Sequence, residues 1–83
     1  MRDSLKDPYI LVADAIGCET EKLSVSSEMY RDFGWDSLGH VNVLLALEDN
    51  YGVVLDEVNV EKYKKLSEIL KLYELKKSEI HYG

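Results

Sequence analysis

The residues with the clearest chemical potential lie in one short segment, Asp36-Ser37-Leu38-Gly39-His40. An aspartate at the start of a helix caps it by accepting hydrogen bonds from the first turn. A serine directly after that cap lies among backbone N–H groups that attract an anion. An Asp-Ser pair at a helix start is, in most proteins, only capping chemistry, so the surrounding pattern must decide whether this segment is a site.

His40 follows Asp36 by about one helical turn, and an Asp/His pair at that spacing could hold a metal ion. A third ligand is not evident in the sequence, and a helical wheel places His40 near the core side. We therefore expect a partly buried, hydrogen-bonded histidine and no metal site. The sequence offers no convincing catalytic set, so we do not expect an enzyme.

Helical periodicity and capping residues predict four helices around this segment. Asp7 followed by Pro8 is a start signal, and Gly17 and Gly52 are stop signals. The predicted helices run over residues 8–16, 37–51 and 57–63 and from residue 66 onward, with fraying after Lys77. The fold class is therefore all-α: a small four-helix bundle with three longer helices and one short helix.

The connection from Cys18 to Trp35 has no sustained periodicity. Loops of this length are uncommon in compact domains and are often functional. Its apolar members are expected to hold it against the core, and they are Leu23, Met29, Tyr30 and Phe33.

The second helix has two apolar sides. The obvious core side carries Val43, Leu44, Leu47 and Tyr51. We expect Leu47 to share the core with Ile16 and Leu70. The other side carries Leu38, Val41 and Leu45. A central helix with two apolar sides in so small a domain can expose one of them to partners. Periodicity alone leaves open the alternative that neighbouring helices cover both sides.

Length and charge restrict the remaining possibilities. The chain has 83 residues, which predicts one domain over residues 1–83 with an ordered core of about 8–77. Its formal net charge of -6 argues against nucleic-acid binding. Cys18 is the only cysteine, which excludes an internal disulfide and fits a reducing compartment. The sequence has neither a signal-peptide pattern nor an apolar stretch that could insert into a membrane, so we expect a cytoplasmic protein.

The run Phe33-Gly34-Trp35-Asp36-Ser37-Leu38 resembles the Gly-x-Asp-Ser-Leu signature of acyl carrier proteins, the phosphopantetheine-binding carriers. The similarity covers roughly residues 8–73. The other segments that follow the family pattern are Ile16-Gly17-Cys18, Ala46-Leu47-Glu48, Tyr51, Leu55-Asp56-Glu57 and Glu61-Lys62. A lone Asp-Ser-Leu is a weak signal, whereas this tripeptide at the head of the second of four helices in a short acidic chain is specific.

The resemblance implies that Ser37 carries a covalent 4′-phosphopantetheine arm whose thiol holds an acyl group as a thioester. The implied partners are a phosphopantetheinyl transferase with coenzyme A, an acyl-loading ligase or transferase, and a downstream synthase or acyltransferase. The protein itself would be a monomer without catalytic activity. Asp36 matches a residue that caps the helix and helps the transferase hold magnesium. The residues at partner-binding positions are Leu38, Val41, Leu45, Glu48 and Asp49.

The sequence departs from bacterial fatty-acid carriers at Gly39 and Asn42, where those proteins usually bear acidic residues. The segment Asp36-Ser37-Leu38-Gly39-His40 looks more like that of bacterial-type carriers in specialised pathways, such as polyketide, peptide or polysaccharide-decoration systems. Trp35 stands where the family often has a small residue; packing of the loop is favoured over a contact beside the arm. Fatty-acid synthesis stays open as the pathway. Two other functions stay open as well: an aminoacyl or peptidyl carrier for an adenylating ligase, and a helical interaction module without the arm.

Overall fold

The computed structural model describes residues 5–31 and 34–81, and within them the chain forms four α-helices. Helix α1 spans Pro8–Ile16, α2 spans Ser37–Tyr51, α3 spans Glu57–Lys62 and α4 spans Leu66–His81, with a 3₁₀ turn at Thr20–Lys22. The predicted all-α bundle of three longer helices and one short helix is confirmed, and the bounds of α1 and α2 agree with the predicted ones.

Aspartate caps fix where the first three helices begin. The side chain of Asp7 accepts a hydrogen bond from Tyr9 N–H at 2.9 Å, and that of Asp56 accepts one from Asn59 N–H at 2.8 Å. Asp36 plays the same role for α2, as described below. Gly17 and Gly52 end α1 and α2, as the sequence predicts.

Helix α4 continues through His81, four residues beyond Lys77. Fraying of the chain after Lys77 stays a prediction. An ion pair between Lys76 Nζ and Glu79 Oε1 at 3.7 Å joins successive turns of this last part. No helix within the described ranges is both long and apolar enough to cross a membrane.

The core forms where α1 packs against both α2 and α4. Its most deeply buried apolar side chains are Leu11, Val12, Trp35, Val43, Leu47, Leu66 and Ile69. Leu47 was predicted in the core and is fully buried, whereas Ile16 and Leu70, expected beside it, are only half-buried at its edge. Ile16 is the last residue of α1, so it borders the following loop rather than the centre of the bundle.

Backbone hydrogen bonds help to hold the long connection between α1 and α2 in place. Met29 N–H donates to Lys64 C=O at 2.8 Å, and Leu66 N–H donates to Ser27 C=O at 3.0 Å. These bonds fasten the loop to the junction between α3 and α4. Leu23 is buried and Met29 half-buried, as predicted. Tyr30 was expected in the core and is instead exposed, and Phe33 lies outside the described residues.

Two neighbouring leucines of α2 test this core assignment. Leu47 has 0% of its surface exposed and Leu45 has 51%. We expect Leu47→Ala to lower the free energy of unfolding by about 2–5 kcal/mol, because it removes buried methyl groups and leaves a cavity. Leu45→Ala, the same chemical change on the exposed side, should stay within about 0.5 kcal/mol of wild type.

Denaturant unfolding of the two variants measures both values. Equal losses in the two variants would contradict the assignment of these faces.

Candidate functional site

Ser37 is the first residue of α2 and its side chain is exposed. Asp36 precedes it as the cap, and its Oδ1 accepts a hydrogen bond from Gly39 N–H at 2.9 Å. The first N–H groups of a helix have no acceptor within the helix, and the helix dipole adds positive potential there. An exposed hydroxyl at this position can be esterified by a second protein, and a phosphodiester on it would be stabilised by the helix N-terminus.

The first turn of α2 lies directly against the preceding loop, and two glycines make that approach possible. A Cβ atom on Gly39 would overlap the carbonyl oxygen of Gly34, and Gly39 is buried. Gly34 has φ +83°, and a Cβ atom there would lie 2.9 Å from the carbonyl oxygen of Ile16. Gly39 is therefore required by sterics. In the sequence, Gly39 is notable only as a position where bacterial fatty-acid carriers usually bear an acidic residue.

On either side of Ser37 in the sequence, Trp35 and His40 form a buried hydrogen bond, and His40 forms a second one with Val60. We call these three linked residues the relay. Trp35 Nε1–H donates to Nδ1 of His40 at 3.0 Å, and Nε2 of His40 lies 2.8 Å from the carbonyl oxygen of Val60 in α3. An indole nitrogen only donates and a carbonyl oxygen only accepts, so the imidazole is neutral with its proton on Nε2. The relay joins loop, α2 and α3. The packing role predicted for Trp35 and the hydrogen bonding predicted for His40 are confirmed. His40 was expected to be partly buried and is more deeply buried than that, with 3% of its surface exposed.

The surroundings of His40 oppose its protonation. Burial is the main cause that lowers the pKa of His40, and the charge of Lys64 lowers it further. The hydrogen bond to Val60 and the charge of Glu61 act in the opposite direction. Lys64 and Glu61 are paired with each other at 2.9 Å. Among residues 5–31 and 34–81 there is no group of three potential metal ligands, so these residues offer no third ligand beside Asp36 and His40.

The structure decides between the two interpretations of the second apolar side of α2. Leu38, Val41 and Leu45 have between 49% and 71% of their surfaces exposed, so they form an exposed apolar stripe that begins beside Ser37. Further exposed apolar side chains at Val54 and Val58, just before and within α3, were not singled out from the sequence.

The two acidic candidates for partner binding lie far from Ser37. Glu48 and Asp49 are exposed near the end of α2. They lie about 16 Å from Ser37 along the helix axis. They line a surface pocket together with Leu5, Lys76 and Glu79. The structure therefore groups Leu38, Val41 and Leu45 near Ser37 but not the acidic pair.

Tyr30 is the residue near the site whose role the sequence analysis missed. Its hydroxyl lies 2.5 Å from Ser37 Oγ, and its side chain is 71% exposed. Its backbone has φ +69°, a conformation that bulky residues rarely adopt. Its N–H donates to Trp35 C=O at 2.6 Å, which holds residue 30 against the residue before the cap. An aromatic residue in the loop looks like a core residue in the sequence, and no local signal indicates the left-handed backbone.

The relay leads to a pH prediction. The folded-state pKa of His40 is lowered, so its stabilising contribution is fully present above the unfolded value of about 6.5 and is lost as pH falls toward the folded pKa. We expect the free energy of unfolding of wild type to fall relative to that of His40→Gln below about pH 6.5, because glutamine keeps a donor and an acceptor but does not titrate.

Denaturant unfolding of both proteins across the range from about pH 7.5 to 5 measures the difference between them, and the other titrating groups are common to both. A difference that stays constant over the range would contradict a neutral buried imidazole.

Comparison with known proteins agrees with this geometry. The profile of the family described as "Phosphopantetheine attachment site" matches residues 10–73, a range that contains the loop and all of α2. A curated relative, an acyl carrier protein of Cyanidium caldarium, is 30% identical over 64 residues, which cover 77% of this chain and 74% of that protein. Members of this family are carriers rather than catalysts, and their cofactor is covalently bound 4′-phosphopantetheine. The chain therefore belongs to the family of phosphopantetheine-bearing acyl carrier proteins.

Proposed function

We propose that Ser37 bears the 4′-phosphopantetheine arm and that the protein presents acyl groups, held as thioesters on the arm, to the enzymes of a specialised biosynthetic pathway. The observation that carries the proposal is the exposed hydroxyl of Ser37 at the first position of α2, inside the segment that the family profile matches. The other serines of the loop do not share this position, because Ser24, Ser26 and Ser27 lie between helices.

Attachment is a phosphoryl transfer from coenzyme A. The Ser37 hydroxyl loses its proton to the transferase, and its Oγ forms a bond to the phosphorus that bears pantetheine. The bond from that phosphorus to the nucleotide part breaks, and the adenosine bisphosphate leaves with the electron pair. Asp36 keeps Ser37 at the helix start, and its second carboxylate oxygen is the group that we assign to the transferase's magnesium ion.

Mass spectrometry tests this assignment directly. Incubation of the arm-free protein with coenzyme A, magnesium and a broad-specificity phosphopantetheinyl transferase should add the mass of one arm to wild type. Ser37→Ala should gain no mass and remain folded, since Ser37 is exposed and its hydroxyl is hydrogen-bonded to Tyr30, which is also exposed.

Ser26→Ala is the matched control, because it removes an exposed hydroxyl in the loop, outside α2, and should label like wild type. Labelling of Ser37→Ala to the wild-type extent would refute the assignment to Ser37, and wild type that gains no mass would favour a helical interaction module without the arm.

Partner docking is the second part of the proposal. The exposed stripe of Leu38, Val41 and Leu45 starts one residue after Ser37, so an enzyme that receives the arm also meets this apolar surface. Near the arm the stripe has little charge to supplement it, because Gly39 has no room for a side chain and Asn42 is neutral and exposed. Docking near the arm therefore depends on apolar burial, at roughly 25 cal/mol per Å², more than on ion pairs.

This balance supports a specialised pathway rather than housekeeping fatty-acid synthesis, in which charge on the carrier guides partner choice. The partners that we propose are a transferase with coenzyme A, an acyl-loading ligase or transferase, and a synthase or acyltransferase that receives the cargo. The single cysteine leaves no internal disulfide, which supports a reducing compartment such as the cytoplasm. The intact mass of the protein purified from its native host would identify the cargo and separate an acyl from an aminoacyl carrier.

Kinetic assays of cargo transfer test the docking surface. Val41→Ala and Leu45→Ala should slow exchange with the natural partner with little change in stability, because both side chains are exposed in the free protein. The rate with wild type should depend weakly on salt, since apolar contact is not screened. Asn42→Glu should raise use of the protein by a fatty-acid condensing enzyme and make that use salt-dependent.

Gly39 is not a suitable second position for added charge, because any side chain there would displace the loop. If the native acylated protein already serves the fatty-acid enzyme as well as that enzyme's own carrier does, the specialised-pathway proposal fails.

A further inference from the structure

Three features of Tyr30 are unusual for a surface tyrosine. Its ring is largely exposed, so apolar burial does not account for its position. Its backbone lies in the left-handed region, which is strained for such a residue. Its hydroxyl nevertheless lies within hydrogen-bond distance of the Ser37 hydroxyl, seven residues further along the chain.

The loop holds Tyr30 in this conformation from both sides. Before it, the N–H of Met29 donates to Lys64 C=O; at residue 30 itself, the N–H donates to Trp35 C=O. Trp35 is fixed in turn by its buried bond to His40. The phenol is therefore presented to Ser37 by a backbone segment that is hydrogen-bonded to the junction between α3 and α4 and to Trp35.

Asp36 Oδ1 accepts from Gly39 N–H, and the hydrogen bond of the Ser37 hydroxyl within the described residues is the one to Tyr30. We propose that Tyr30 is a positioning residue: its phenol orients the Ser37 hydroxyl before attachment and donates a hydrogen bond to the phosphodiester afterwards. The inference rests on the proposed attachment at Ser37.

The direction of the second bond follows from the chemistry of the ester. Either hydroxyl can donate while Ser37 is free. Once Oγ is esterified it has no proton and is a poor acceptor, whereas the phosphodiester oxygens beside it carry a negative charge. A phenol O–H donates strongly to such an anionic oxygen, so the bond persists with Tyr30 as the donor. The base of the arm is then held on the loop side of α2.

Tyr30→Phe tests the proposal because it removes only the hydroxyl and keeps the ring. In the attachment reaction we expect kcat to fall about two- to tenfold with KM unchanged, because one neutral hydrogen bond orients the nucleophile and the docking surface is intact. In the arm-bearing protein we expect the ³¹P resonance of the phosphodiester to shift relative to wild type. Thermal melting of the variant verifies that it is folded.

Two further variants separate the hydroxyl from the backbone. Tyr30→Gly accepts φ +69° without strain and lacks the phenol, so its kcat should fall as that of Tyr30→Phe does. Tyr73→Phe removes a tyrosine hydroxyl in α4 and should leave both kcat and the ³¹P shift unchanged.

The proposal is overturned if Tyr30→Phe leaves either kcat within twofold of wild type or the ³¹P shift unmoved, or if Tyr30→Gly reacts like wild type. Failure of the attachment assignment itself looks different, since wild type would then gain no arm at Ser37.

Discussion

The imidazole of His40 is the contact on which the rest of the site depends. It accepts from the indole of Trp35 in the loop and donates to a carbonyl of α3, so a single side chain of α2 fixes the two segments on either side of Ser37. Helix α3 has six residues and none of them is buried. A helix of that length does not persist in water without tertiary contacts, so its position relies on bonds such as this one. The buried indole of Trp35 and the buried imidazole of His40 both have hydrogen-bond partners, which makes the relay specific in geometry as well as stable.

The same turn shows how an exposed site is built above a packed interior. Trp35, Gly39 and His40 point inward, while Ser37 and Leu38 point to solvent. Of the inward residues, Trp35 fills space, Gly39 has no side chain and His40 forms hydrogen bonds through both ring nitrogens. The outward positions are thereby free to carry the reactive hydroxyl and the start of the apolar stripe.

Much of this arrangement is predictable from the sequence because it depends on local rules. Asp7-Pro8, Asp36 and Gly52 define helix ends through capping chemistry, and the bounds of α1 and α2 follow from them. The exposure of Leu38, Val41 and Leu45 depends on how far neighbouring helices wrap around α2, which periodicity does not contain. The contact of Tyr30 with Ser37 depends on a left-handed backbone in an irregular loop. The steric requirement for glycine at residue 39 depends on how closely the backbone of Gly34 approaches it. No local sequence pattern predicts that distance.

The buried indole has a practical consequence for following the protein at work. Trp35 is the only tryptophan in the chain, and it lies two residues from Ser37 with its N–H bonded to an imidazole. The tryptophan fluorescence of the protein therefore reports on this loop alone. A partner that lifts the loop would bring the indole into water and shift its emission to longer wavelength, whereas a partner that only covers the exposed stripe would leave the emission in place. The two modes of engagement can thus be distinguished optically, without a label attached near the arm.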